Sequence, residues 1–418
     1  MKDVTLTKEQ EEAKNLICDW FLHSDCQVFV LGGYAGTGKT FLVNHVVTKV
    51  LNLAAGTEAA FVSPTGKAAS VLIQQGTVAT TVHGLIYTIE KEEMVLNEQG
   101  EVVSRGQLIF RRREGIDSKI KLIVIDETSM INEEMLADLL SFGVKCLFCG
   151  DDAQLPPVNG VCPLLATPSF TLKEIVRQAK DNPIVHIATM AREGRTIPYG
   201  NYGDKVVVLP KFKLSGSERK RLMLKADQII CGTNKTRYEL NREMREYLGV
   251  LPTEDMPIDG EKLICTYNNW EKALDSDEKF HLVNGIIGVG RSFQEGIDGL
   301  CMMDFTPDFL NESVRVPFDT AIFTDGAYLH GYNDRAVILE DGTAVHEMNK
   351  AVLRRVKAVS DEPICRFEFA YAITCHKAQG SEFNFVIVFD ESWAFREERN
   401  KWLYTAITRA KDKLLIVR

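Results

Sequence analysis

Gly33-Tyr34-Ala35-Gly36-Thr37-Gly38-Lys39-Thr40 fits the spacing G-x-x-x-x-G-K-[ST] in full. The apolar run Val28–Leu31 before it has the length of a buried strand, and Phe41–Val50 after it is helical in pattern. Strand, glycine loop and helix in that order make a phosphate cradle. The glycines let consecutive backbone N–H groups turn inward around phosphate oxygens. The next helix presents its positive end to the same anion. Lys39 is expected to reach the β- and γ-phosphates, and Thr40 to ligate Mg²⁺.

Further along, Val124-Ile125-Asp126-Glu127 closes a second strand-like run, Leu122–Ile125. Asp126 is expected to hold the Mg²⁺ shell, and Glu127 to act as a base toward an attacking water. A glutamate there favours hydrolysis over transfer to a second substrate. Gly150-Asp151-Asp152-Ala153-Gln154-Leu155-Pro156-Pro157 follows a third run, Val144–Cys149, and Gln154 can bond γ-phosphate or water. Read singly, adjacent acids are solvated and a glutamine before two prolines is a polar turn. Their order behind a phosphate loop gives them weight.

Strand-length runs also occur at Ala60–Val62, Gln228–Cys231, Phe385–Phe389 and Leu414–Val417, with helical stretches such as Glu133–Leu140 between them. An amphipathic helix opens near Thr7. That alternation predicts parallel, helix-covered sheets in two α/β domains. Two stretches break it. Tyr87–Lys119 reads as a small β insert, with Asn97-Glu98-Gln99-Gly100 as the turn between Met94–Leu96 and Val102–Val103. Its second arm ends in Arg111-Arg112-Arg113, as consistent with a solvated face as with a nucleic-acid contact. Phe293–Pro363 reads as a small all-β module.

The 418 residues suffice for two to three domains of roughly 150 residues each. A net charge of −9 excludes a uniformly basic nucleic-acid coat but not a basic channel. No run of apolar residues is long enough for a membrane span, and the start has no signal-peptide core. The 10 cysteines then read as reduced thiols, and a cytoplasmic protein is expected. Cys146 and Cys149 have zinc-knuckle spacing, but on a strand they point to opposite faces and cannot share one ion.

Taken together, these motifs resemble the superfamily-1 helicases, and among them the RecD-like and phage Dda-like group that moves 5′ to 3′. The resemblance covers nearly the whole chain. Leu6-Thr7-Lys8-Glu9-Gln10 looks like the leader in which Gln10 reads adenine. Ser63-Pro64-Thr65-Gly66-Lys67 and Thr80-Thr81-Val82-His83-Gly84 look like strand-contacting motifs. Leu172-Lys173-Glu174-Ile175-Val176-Arg177-Gln178 looks like the next motif, with Arg177 toward the γ-phosphate. Gly232-Thr233-Asn234-Lys235 through Asn241 and Arg245 looks like the entry to the second domain. Thr374-Cys375-His376-Lys377-Ala378-Gln379-Gly380-Ser381-Glu382 and Tyr404-Thr405-Ala406-Ile407-Thr408-Arg409-Ala410 look like the last two motifs.

The resemblance implies an α/β protein of two RecA-like motor domains with parallel sheets, plus a small β-hairpin insert and an SH3-like β module. It implies a first motor domain over 1–86 and 120–180, a pin-like insert at 87–119, a second motor domain over 181–292 and 364–418, and the module at 293–363. ATP and Mg²⁺ are the implied cofactors. Gln10, Gly33, Ala35, Gly36, Thr37, Gly38, Lys39, Thr40, Gly380 and Glu382 would bind nucleotide, and Thr40 and Asp126 the metal. Lys39, Glu127, Gln154, Arg177 and Arg409 would be catalytic. Arg409 lies about 370 residues after Lys39, so it belongs to the other domain. Pro64, Thr65, Thr81, His83, Thr374, His376 and Lys377 would contact DNA, as phosphate, sugar or base-face contacts.

The implied activity is an ATP-dependent helicase translocating 5′ to 3′ on single-stranded DNA, with DNA-stimulated hydrolysis. Single-stranded and fork DNA are the expected partners, with replication or recombination proteins, and the chain is expected to be a monomer away from membranes. The alternatives are an RNA translocase of the same superfamily and a non-translocating NTP-gated switch. RecD subunits carry a further N-terminal domain ahead of the first motif, which this chain is expected to lack. No nuclease-like acidic constellation is evident in the sequence.

Overall fold

In the first sheet, apolar residues fill both faces of every central strand, so each strand is read by two cores at once. The structure is a computed structural model that describes residues 5–91, 95–96, 102–104, 108–156, 162–176, 181–251, 253–276, 280–295, 300–320, 323 and 365–418. The chain folds into two compact units, Met1–Lys180 and Asp181–Arg418.

The first unit is built on a parallel sheet of β1 (Val28–Gly33), β2 (Ala59–Ser63), β3 (Ala79–Thr81), β8 (Leu122–Ile125), β9 (Lys145–Gly150) and β10 (Phe170–Leu172), ordered β10-β1-β9-β8-β2-β3. Between β3 and β8 lie four short strands. Of these, β4 (Tyr87–Lys91) pairs antiparallel with β7 (Leu108–Arg112), and β5 (Val95–Leu96) with β6 (Val102–Ser104). The expected turn at 97–100 lies outside the described residues.

One face of the parallel sheet packs Phe29, Leu31, Leu122, Val124, Leu147 and Cys149 against α1 (Lys8–His23) and α2 (Lys39–His45). The other packs Val30, Ile123, Ile125, Cys146 and Phe148 against α4 (Val82–Ile86) and α5 (Glu133–Leu140), whose buried residues include Ile86 and Leu139. The period of two divides Cys146 from Cys149 across these cores. Burial pushes the Cys146 thiol up to about 12.

Thr7 caps α1 with a reciprocal capping box, its hydroxyl accepting from Gln10 N while Gln10 accepts from Thr7 N. The helix after the phosphate loop holds α geometry only to His45. It then widens over Val46–Val50, where Leu51 N donates to Val46 O, five residues back.

The second unit repeats the plan. Strands β12 (Val206–Leu209), β13 (Gln228–Cys231), β21 (Ala372–Thr374), β22 (Phe383–Phe389) and β23 (Ala410–Val417) run parallel, and β11 (Gly200–Tyr202) adds antiparallel at one edge, in the order β11-β12-β23-β22-β13-β21. An antiparallel five-stranded sheet joins β14 (Lys262–Cys265), β17 (Ile287–Glu295), β18 (Leu300–Pro307), β19 (Val314–Asp319) and β20 (Phe367–Phe369). It takes strands from both sides of 293–363; residues 324–364 lie outside the described residues. A separate antiparallel pair joins β15 (Asn269–Ala273) with β16 (His281–Leu282). No helix among the described residues is long and apolar enough to cross a membrane.

Candidate functional site

Because the six strands of the first sheet are parallel, their carboxyl ends share one edge, where open α/β sheets bind ligands. Each strand delivers a motif there: the phosphate loop after β1, Pro64-Thr65 after β2, Val82-His83 after β3, Asp126-Glu127 after β8, Asp151–Gln154 after β9 and Lys173–Val176 after β10.

Gly36 and Gly38 sit at φ 80° and 74°, left-handed values that glycine adopts without strain. Gly38 precedes α2 with no side-chain cap, which leaves the helix's first N–H groups open to an anion. The Lys39 ammonium lies inside the loop, donating to Gly33 O and, at 3.2 Å, to Tyr34 O. Thr37 Oγ1 closes the same turn by donating to Tyr34 O at 2.8 Å. Gln10 is buried against the loop and donates from Nε2 to Thr37 O at 2.9 Å. A leader residue is thus bonded to the phosphate loop 27 residues on.

The Thr40 hydroxyl donates to Asp126 Oδ2 at 3.3 Å, and Asp126 Oδ1 accepts from Glu127 N at 3.0 Å. Glu127 has φ 55°, a strained left-handed backbone for a non-glycine residue, and such strain concentrates at functional sites. Burial, reinforced by the Asp126 charge and opposed by Lys39, pushes the Cys149 thiol far up, so the loop lysine and the carboxylate face the same sheet end. Gln154 is buried, and its Oε1 has no hydrogen-bond partner among the described residues. An orphaned buried acceptor of this kind demands a donor.

The donor set fits Mg²⁺. One hydroxyl and one carboxylate, both hard oxygens, suit an ion that keeps waters and shares phosphate oxygens rather than sitting in an all-protein cage. No group of three or more His, Cys, Asp or Glu residues among the described residues could hold a metal ion.

Sequence reasoning missed Glu9. Its Oε2 accepts from Lys173 N at 2.7 Å and Glu174 N at 2.6 Å, while Val176 N donates to Gly36 O at 3.0 Å. The segment leading to Arg177 is therefore fastened to both α1 and the phosphate loop. Arg177 lies outside the described residues. Of the expected DNA contacts, Thr65 caps α3 (Gly66–Gln74) through Ala68 N, and Thr81 caps α4 through Gly84 N. The His83 ring lies 5.2 Å from Tyr87, and burial lowers its basicity.

Two family models match, one described as an AAA domain over residues 5–206 and one as a UvrD-like helicase C-terminal domain over 369–417. The ATP-dependent RecD2 DNA helicase of Deinococcus radiodurans is 27% identical over 93% of this chain and 46% of its own length. The chain therefore spans about half of that relative. The chain is thus similar, over nearly its whole length, to a RecD-type DNA helicase. The RecD subunit of the RecBCD enzyme from Buchnera aphidicola is 23% identical over 93% of this chain and 70% of its own length. A solved structure of Pif1 helicases at forked double-stranded DNA shares the fold, with a TM-score of 0.50 and 17% identity over 99% of this chain and 92% of its own.

In the second unit, the expected residues divide between two ends of the sheet. Gly380, Glu382 and Arg409 lie where β22 and β23 begin. Arg409 is buried and donates to three neutral acceptors, Thr405 O at 3.1 Å, Ser381 O at 3.2 Å and Thr408 Oγ1 at 3.1 Å. It has no carboxylate partner among the described residues. Gly380 takes φ 69°, and Glu382 pairs with Lys411 at 3.1 Å. Thr374, His376 and Lys377 follow β21. Thr374 caps the helix Cys375–Ala378 without a side-chain bond. The His376 ring lies 5.7 Å from Phe395, and burial lowers its basicity.

The Lys377 ammonium pairs with Glu368 Oε2 at 3.0 Å. Sequence reasoning also missed Glu391, whose carboxylate accepts from Gly232 N at 2.8 Å, Thr233 N at 2.9 Å and Thr236 Oγ1 at 2.6 Å, fixing the start of the helix Asn234–Leu248.

Proposed function

We propose that this chain is an ATP-driven motor that moves 5′ to 3′ along single-stranded DNA and unwinds duplex ahead of it. The observation that carries the reading is the apposition of Thr40 Oγ1 and Asp126 Oδ2 at 3.3 Å beside the Lys39 ammonium. That arrangement suits an NTP, and the orphaned Gln154 Oε1 offers an acceptor for a water. The name of the Deinococcus relative, an ATP-dependent DNA helicase, supports the activity.

In this reading the phosphate-loop N–H groups and Lys39 bind the β- and γ-phosphates, and Gln10 lies at the base. Thr40 and Asp126 would hold Mg²⁺, which would supply charge neutralisation to the phosphates. Glu127 takes a proton from the attacking water while Gln154 orients it. Arg177 and Arg409 share the charge that develops on the transferred phosphoryl group, which needs electrostatic help more than covalent chemistry. Pro64, Thr65, Thr81, His83, Thr374, His376 and Lys377 grip the strand. We assign residues 87–119 as the strand-separating insert and 293–363, whose β18 and β19 lie in the five-stranded sheet, to an SH3-like module.

The test is unwinding of two duplexes that differ only in the polarity of a single-stranded tail. The 5′-tailed duplex is expected to be separated in an ATP-dependent manner and the 3′-tailed one left intact. The opposite preference overturns the direction, and ATP-independent separation overturns the motor.

A further inference from the structure

Three charged side chains outside the nucleotide site meet in the second unit. Arg237 comes from the helix Asn234–Leu248, Glu368 from β20, and Lys377 from the helix Cys375–Ala378. Glu368 Oε2 accepts from both cations, from Arg237 Nη1 and, at 3.0 Å, from Lys377 Nζ. The Arg237 side chain is 4% exposed, that of Glu368 17% and that of Lys377 25%.

Strand alternation explains why a carboxylate is found here. Phe367 and Phe369 are buried on one face of β20, where their rings pack on Phe305 and Phe323. Glu368, between them, must face the other way. Among the described residues, two cations and one carboxylate give the cluster one net positive charge, and Lys377 is its most exposed member. A single accessible positive charge fixed by an internal carboxylate is suited to one phosphodiester.

We propose that Glu368 is a positioning residue: it keeps Lys377 charged and fixed, so that the cluster's surplus positive charge grips one phosphate of a single-stranded nucleic acid. This rests on reading Thr374–Lys377 as a strand-contacting motif. Among the described residues, the groups that face Lys377 are Glu368 from β20, Arg237 from its helix and the Cys265 thiol from β14. Burial pushes the Lys377 amine below its ordinary range, Glu368 pulls it back up, and Arg237 pushes it further down. Burial pushes the Cys265 thiol far up, so that it stays neutral. Burial resists ionisation of Glu368, but Lys377 and Arg237 together hold its carboxyl below the usual range. Without that carboxylate, a half-buried ammonium would face a guanidinium with no opposing charge, and would lose its proton at lower pH.

The experiment measures the affinity of a short fluorescent oligothymidylate against salt, at pH 7 and pH 9, for the full chain. Each phosphate contact on a single strand adds a slope of about 0.7 in log affinity against log salt. Between 50 and 200 mM salt, Lys377→Ala should therefore lose about 2.6-fold less affinity than the wild type. Wild type should keep its slope from pH 7 to pH 9. Glu368→Gln, which preserves shape and an acceptor, should fall to the Lys377→Ala slope by pH 9. Adding Lys377→Arg to Glu368→Gln should remove that pH dependence, because a guanidinium stays charged.

A Glu368→Gln slope that matches wild type at both pH values overturns the proposal, as does a wild-type slope in Lys377→Ala. If wild type and every variant fail alike to bind the oligonucleotide, the nucleic-acid reading itself falls. Should Glu368→Gln not fold, ¹⁵N NMR of the wild-type Lys377 ammonium decides. A signal still protonated at pH 9 that moves on adding oligothymidylate supports the proposal, and one that loses its proton below pH 9 or ignores the oligonucleotide overturns it.

Discussion

Gly38→Ala tests whether the leader helix and the phosphate loop act as one unit. Gly38 has φ 74°, and a Cβ built there lies 2.8 Å from Gln10 Nε2. A long amide could ordinarily swing aside. This one is tied at both ends, its Oε1 accepting from Thr7 N at 3.0 Å and its Nε2 donating to Thr37 O at 2.9 Å. The left-handed backbone costs alanine about 1–2 kcal/mol, and a displaced Gln10 loses a buried hydrogen bond of about 1 kcal/mol. The sum, about 2–3 kcal/mol, should lower the melting of the first unit by roughly 4–12 °C for a unit of this size. In a Gln10→Ala background the collision is gone and only the backbone strain remains. The cost of Gly38→Ala should then fall to about 1–2 kcal/mol, a coupling of about 1 kcal/mol. Calorimetry of the four proteins measures it. Costs that add to within about 0.5 kcal/mol would refute the linkage.

Arg409→Ala should lower turnover by about 10³ to 10⁵ if the arginine stabilises developing phosphate charge. The Michaelis constant for ATP should change far less, and steady-state kinetics with circular dichroism to confirm folding will show which parameter moves. Arg409→Lys keeps the charge and should recover part of the rate. Glu127→Gln should bind a fluorescent ATP analogue as wild type does, yet hydrolyse ATP about 10² to 10⁴ more slowly. An unchanged rate would remove Glu127 from the role of base.

What the sequence made legible was local. The strand Val28–Gly33, the glycine loop and the helix from Lys39 are contiguous, so spacing alone reads them. The run Leu122–Ile125 could be read because strands buried on both faces are continuously apolar. The meeting of Thr40 and Asp126 was inferable only because both motifs end strands of one parallel sheet. Glu9 was illegible for the opposite reason. It is a glutamate in the first turn of a helix, a position where acids are common, and its partners are backbone N–H groups 164 and 165 residues away. The Glu368 pairings were hidden likewise. Phe367-Glu368-Phe369 reads as an ordinary alternating strand, and nothing in it announces Arg237, 131 residues earlier. The widened helix at Val46–Val50 has no local signature either, because its apolar residues suit α spacing as well.

The central claim is that the Lys39 site burns nucleotide in response to a nucleic-acid strand. Its most direct test is the steady-state rate of ATP hydrolysis with and without single-stranded DNA, in wild type and in Lys39→Ala. The account predicts a rate that rises on adding DNA in the wild type and no turnover in the folded variant under either condition. A wild-type rate indifferent to DNA, or DNA-stimulated hydrolysis that survives the loss of Lys39, would contradict it.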